Sequence, residues 1–146
     1  MYAAFDLATA FAETVLRDKP MRSADVIMDY RDLEARVVVE LKRGPDSRPL
    51  RLIKLYDEGL AAAHTDNRIS ARDHYPTTQR WADMFHAHSI AADGIVYMLR
   101  YMGARKSVAL FDRCEAAVAA GVSTPLLEHR AFASVVDLFN LAIDRG

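Results

Sequence analysis

Two short apolar runs, Ile95–Leu99 and Ser107–Phe111, constrain this chain more than any other feature of it. Each is apolar on both faces, as strands buried within a sheet are. The stretch between them, Arg100–Lys106, has the length of a hairpin connection and carries three basic residues, Arg100, Arg105 and Lys106. Helical and strand patterns surround this pair in irregular order, and no strand-helix-strand unit repeats. The sequence therefore predicts an α+β fold rather than a doubly wound sheet.

The remaining elements follow from periodicity. Leu7, Phe11 and Val15 form a stripe at helical spacing, with Asp6 as N-cap and Pro20 as terminator, which predicts a helix over Leu7–Arg17. Val37-Val38-Val39 lies in a β-branched run stopped by Gly44-Pro45 and reads as a strand. Leu50–Leu55 is a second extended segment, Asp57–His64 a short Ala-rich helix, and His64–Asp73 a polar surface loop. Pro76 and the threonines after it open a helix with Trp81, Met84, Phe85 and His88 as its apolar face, stopped by Asp93-Gly94. Beyond Gly121 and Pro125, a last helix near Ala131–Asn140 presents Phe132, Val135, Val136 and Phe139.

At 146 residues the chain predicts one domain, large enough to bury about two-thirds of its unfolded surface without disulfides or metal. The net charge of −1 gives no electrostatic case for nucleic acid or an anionic membrane as main partner. Cys114 is the single cysteine, which fits a reducing compartment, and no secretory signal or bilayer-length apolar run is visible. The expected location is the cytoplasm. Apolar periodicity starts within a few residues of Met1, with no polar lead-in. The chain reads as though it begins in the middle of a fold and lacks an N-terminal strand region. An exposed strand edge would follow, and with it self-association into a homo-oligomer.

Several chemistries have no carrier in the sequence. There is no P-loop, no GxGxxG and no GxSxG. His86 and His88, two apart on a helix, lie on nearly opposite faces and cannot share a metal. His64, Asp66 and His74 could converge, but solvated loop residues are the plainer reading. Cys114 reads as a small apolar packing residue, with nothing nearby to stabilise a thiolate. Glu13 is more informative. It lies well round from the buried Leu7/Phe11/Val15 stripe, either as a solvated carboxylate or as one facing a cleft. Arg100, Arg105 and Lys106 are a solvated hairpin or, beside a cleft, contacts for a pyrophosphate.

The run from Tyr2 to Asp18 resembles the RES family pattern, in which a strand ending in Tyr leads to a helix bearing a Glu. Trp81-Ala82, then Asp93-Gly94-Ile95-Val96-Tyr97-Met98-Leu99-Arg100, then Ala109-Leu110-Phe111-Asp112-Arg113, are similar to its second block, Asp-Gly-Ile-x-Tyr-x-Ser-Arg followed by a strand ending in Leu-Phe. Pro125–His129 and the final helix resemble its close. The resemblance spans nearly the whole chain in order. It implies an ADP-ribosyltransferase-like fold, a small mixed sheet with flanking helices. It also implies cleavage of NAD at the nicotinamide–ribose bond by hydrolysis, phosphorolysis or ADP-ribosyl transfer. NAD is then substrate, no metal is needed, and the partner is an Xre-type helix-turn-helix antitoxin.

By the same match Glu13 would stabilise the oxocarbenium-like transition state, Tyr2 would pack against the nicotinamide ribose, Arg100 would hold phosphate, and Tyr97 would join them in binding NAD. These assignments expect Glu13 to share a nucleotide-sized hollow with Tyr2 and Arg100. Two departures stand out. The Arg for which the family is named normally precedes the position of Tyr2, and the Ser falls on Leu99, which has no hydroxyl. A catalytically impaired remnant keeping the fold and the antitoxin-binding surface is therefore the second reading. An unrelated binding module with chance similarity is the third.

Overall fold

The structure, a computed structural model, describes residues 1–17, 26–46, 48–65, 75–88, 90–99, 102 and 105–146, with the backbone alone at 75–78. In chain order the elements are β1 Tyr2–Ala4, α1 Leu7–Phe11 running on as a π-helical turn Ala12–Leu16, β2 Val26–Asp29, α2 Tyr30–Glu34 and β3 Val37–Arg43. There follow β4 Leu52–Leu55, α3 Glu58–Ala62, α4 Tyr75–Ala87, β5 Gly94–Met98, β6 Lys106–Leu110 and a 3₁₀ segment Asp112–Ala117. The chain closes with β7 Val118–Pro125, a 3₁₀ turn Leu126–Glu128, α5 Phe132–Phe139 and β8 Leu141–Asp144. The fold is α+β. It divides into two compact units, Met1–Phe5 with Arg43–Val118, and Asp6–Lys42 with Ala119–Gly146.

The first unit is built on a four-stranded sheet in the order β1-β6-β5-β4. Strands β5 and β6 are the antiparallel hairpin expected from the two apolar runs, with Gly94 opposite Leu110 and Met98 opposite Lys106. β4 runs parallel to β5 and β1 antiparallel to β6, so the sheet is mixed. Side chains alternate across a strand. Leu52, Val96, Val108 and Leu110 accordingly pack on one face with Cys114 and Ala117. Ile53, Leu55, Ile95 and Tyr97 pack on the other with Leu60 of α3 and with Trp81 and Phe85 of α4. Both faces of β5 are covered, which is why its run is apolar without alternation.

The expected face of α4 is narrower than Trp81, Met84, Phe85 and His88. Trp81 and Phe85, one turn apart, pack with tilted rings whose centroids are 5.6 Å apart, whereas Met84 is exposed. At 100° per residue Met84 points well to one side of the Trp81–Phe85 line. The helix also ends at Ala87, before Asp93-Gly94. His88 instead accepts the Ile90 N–H on its ring nitrogen, and Ala91 takes φ +47, which turns the chain out of the helix.

Asp93 fixes where β5 begins. Its carboxylate accepts two bonds from the Arg48 guanidinium, each 2.7 Å, and a third from the Arg51 N–H at 2.7 Å. Its own N–H donates to the Arg51 carbonyl, and its carbonyl accepts from the Phe111 N–H. One 1%-exposed residue thus ties the lead into β4 and the exit from β6 to the start of β5. The next residue must be glycine, because a Cβ on Gly94 would sit 2.4 Å from the Ala109 carbonyl oxygen.

The second unit holds its own core. Phe11, Val15 and Leu16 of the first helix pack with Met28, Leu33, Leu126, Phe132, Val135 and Leu141, and Phe11 stacks on Phe139 at 6.0 Å. β2 and β8 pair in parallel, while β3 pairs with β7. Strands β2, β7 and β8 and helix α2 have no counterpart in the sequence reading. α5 matches its expected face, and Asn140 closes it in the left-handed conformation, as C-terminal Asn residues do.

The Arg48 bonds hold the Asp93 carboxyl well below its usual 3.8, at about 2, against the opposing effect of burial. A carboxyl depressed in the folded state stabilises above its unfolded pKa, and that stabilisation is lost as pH falls through the folded one. Asp93→Ala should therefore cost about 2–4 kcal/mol at neutral pH, measured by urea denaturation. The difference between variant and parent should shrink between pH 4 and pH 2.

Candidate functional site

Glu13 lies in the second unit, on a helix whose start is well defined. Asp6 takes extended backbone angles, and its Oδ1 accepts from the Thr9 N–H at 2.8 Å and from the Thr9 hydroxyl at 2.9 Å. The helix widens to a π turn over Ala12–Leu16, with Glu13 inside it. Such widening takes carbonyls out of i−4 pairing, and the Thr14 hydroxyl donates to the Ala10 carbonyl at 2.7 Å. Phe11, Val15 and Leu16 anchor the turn in the core. Glu13 is partly buried rather than fully solvated. π turns inserted in α-helices are found often at functional sites.

Tyr2 and Tyr97 lie in the first unit, on one face of its sheet. Tyr2 is opposite Ala109, and Ala4 is opposite Ser107. Across the next strand Ala109 is opposite Ile95, and Ser107 opposite Tyr97. Paired residues share a face, so Tyr2 and Tyr97 stand diagonally across β6 on the face that also carries Ala4, Ser107 and Ala109. Tyr2 is 63% exposed, and Tyr97 is partly buried against the Trp81–Phe85 cluster. Ser107 is 0% exposed, and its Oγ has no hydrogen-bond partner among the described residues.

Arg100 lies outside the described residues, as do Asp66 and His74. The other basic residues of the hairpin are not simply solvated. Arg105 is partly buried, with its N–H on the Met102 carbonyl. The Lys106 ammonium lies 4.2 Å from the centre of the Tyr56 ring, which the Lys54 ammonium approaches to 4.8 Å. Lys54 in turn pairs with Glu58, raising the Lys54 pKa and lowering that of Glu58.

A family comparison decides what this arrangement belongs to. The model of the RES domain family matches residues 1–133 of the 146. The chain belongs to the RES domain family. This family is known in toxin–antitoxin modules. Neither the curated proteins nor the solved structures offer a match.

Within this RES chain, position 99 is a buried hydrocarbon side chain. Leu99 is 5% exposed, directly after β5, with its N–H on the Arg105 carbonyl. Two features escaped the sequence reading. The Arg48–Asp93 pair had a partial signal, an Asp before Gly at the head of a buried strand, but nothing pointed to Arg48 far upstream. Ser107 reads as one polar residue at the margin of an apolar run, and only the strand pairing shows where it lies.

Cys114 is a packing residue, buried, with its Sγ 3.0 Å from the Phe111 carbonyl and its thiol pKa raised by burial. His86 bonds Asp112 at 2.9 Å, which lowers the Asp112 pKa, and Arg113 donates to the His86 carbonyl. Among the described residues no three His, Cys, Asp or Glu side chains group as a metal site, and no helix is long and apolar enough to cross a membrane.

Because Asp6 sets the start of the helix that carries Glu13, Asp6→Ala should cost about 0.5–2 kcal/mol. Asp6→Ser should recover most of that loss. Thermal melting followed by circular dichroism would show both changes.

Proposed function

We propose that this RES protein is the toxin component of a toxin–antitoxin module and cleaves NAD at the bond between nicotinamide and ribose. The observation that supports this reading best is the family match over residues 1–133, joined to Glu13 in a core-anchored π turn. In the reaction the C1′–N bond breaks, and its electron pair leaves with neutral nicotinamide. The ribose then carries positive charge shared between C1′ and the ring oxygen. A fixed carboxylate offsets that charge more strongly in the transition state than in the substrate, where the cation resides on the pyridinium. That is the role given to Glu13. A nucleophile, from water, phosphate or a protein side chain, completes the reaction by bonding C1′ and giving up its proton.

Tyr2 and Tyr97 take the binding roles, supplying aromatic surface for the nicotinamide ribose. Arg100 is assigned to the pyrophosphate, since a guanidinium matches phosphate oxygens. The ADP-ribosyltransferase-like architecture belongs to the same proposal, as do a single RES domain over the chain, a cytoplasmic location, an Xre-type helix-turn-helix partner and self-association through the outer strand β1.

Leu99 favours a second reading. A buried hydrocarbon stands where the family Ser is expected, which fits an impaired RES domain retaining the fold and the antitoxin-binding surface. Incubation of the purified protein with NAD separates the two. The first reading expects nicotinamide release that falls about 100-fold or more in Glu13→Gln. Release no greater than from that variant rejects it. The second expects co-purification with the helix-turn-helix protein without loss of NAD.

The binding residues give a different kinetic signature. Tyr97→Ala should raise KM for NAD about tenfold or more with a smaller change in kcat, as loss of uniform binding does. Steady-state nicotinamide release would measure both constants.

A further inference from the structure

Ser107 is the polar side chain that the folded sheet leaves unexplained. It is wholly buried on β6, and its hydroxyl meets no hydrogen-bond partner among the described residues. Burying such a group uncompensated destabilises a protein, whereas alanine in its place would carry no such penalty. A strand that otherwise reads Val108, Ala109, Leu110 gives no packing reason for a hydroxyl there.

The surroundings suggest what the hydroxyl serves. On its face Ser107 is bordered by Ala4 on β1, Tyr97 on β5 and Ala109 along its own strand. All three are partly buried, whereas Ser107 itself is wholly buried. The two alanines project only methyl groups, while Tyr2 and Tyr97 stand diagonally across β6, two strands and two residues apart, about 12 Å from each other. A five-membered sugar ring fits between walls so spaced, with aromatic surface on either side and a hydrogen-bonding group beneath.

We infer that Ser107 is a substrate-binding residue whose hydroxyl bonds a ribose hydroxyl of a nucleotide seated over Ala4 and Ala109 between Tyr2 and Tyr97. The identity of that nucleotide as NAD rests on the reading in the preceding subsection. Sites that bind ligands through polar groups often lose stability for it, and Ser107 fits that pattern.

NAD binding to the full chain carrying Glu13→Gln, measured by titration calorimetry, tests the assignment alongside the melting temperature without NAD. Adding Ser107→Ala should leave the melting temperature unchanged or raise it, and should weaken NAD binding about tenfold or more. Ser107→Cys, which keeps the side-chain volume, should weaken binding in the same direction. A fall of several degrees on Ser107→Ala would mark the hydroxyl as a structural group and overturn the inference. So would NAD affinity equal to that of the parent. If the Glu13→Gln parent binds no NAD, the NAD reading fails and the ligand assigned to Ser107 falls with it. If that parent binds and Ser107→Ala binds equally well, only Ser107 is removed from the site.

Discussion

The bidentate pair between Arg48 and Asp93 is the interaction on which the four-stranded sheet depends. A carboxylate removed from water is tolerated only where hydrogen bonds replace hydration, and Asp93 receives three of them, from Arg48 and from the Arg51 backbone. Its backbone meanwhile joins Arg51 and Phe111. The charge and the backbone act on the same residue, so the register of β4 against β5 and of β5 against β6 is set at one point. Tyr97, Ser107 and Ala109 face one way because that register holds; a slip by one residue would turn all of β6 over.

What the sequence disclosed of the fold tracks how local the cause is. The helix from Leu7, the strand from Val37, the hairpin of β5 and β6 and the closing helix near Phe132 are each announced by a stripe, a run, a cap or a glycine within a few residues. β2, β7 and β8 are not. Val118–Pro125 is rich in Ala and small polar residues and has little intrinsic strand preference; pairing with β3 makes it a strand. Leu141–Asp144 follows a helix without a loop and is extended because Val26–Asp29 lies beside it. Tertiary pairing, invisible along the chain, decides both.

The same division governs the candidate site. Glu13 could be singled out from helical periodicity, because a carboxylate off the apolar stripe is a local fact. The π geometry around it could not, since no residue type demands it. Tyr2 and Tyr97 stand far apart in the chain and meet on one sheet face only through β6. Ser107 is more remote still from sequence logic. A serine in an apolar run is commonplace, and a hydroxyl without a partner among the described residues becomes visible only in the folded sheet.

The widened turn at Ala12–Leu16 has an evolutionary corollary. A π turn holds more residues than an α turn over the same length of axis, so it amounts to an insertion absorbed without breaking the helix. A relative with regular winding here would reach the residue equivalent to Leu16 one position sooner after its cap. Aligned to this chain, it would need a gap inside the helix, and a comparison that forbade gaps in helices would misplace the acidic residue by one. Homology across this segment is better judged by counting backwards from the buried Val15 and Leu16 than forwards from Asp6.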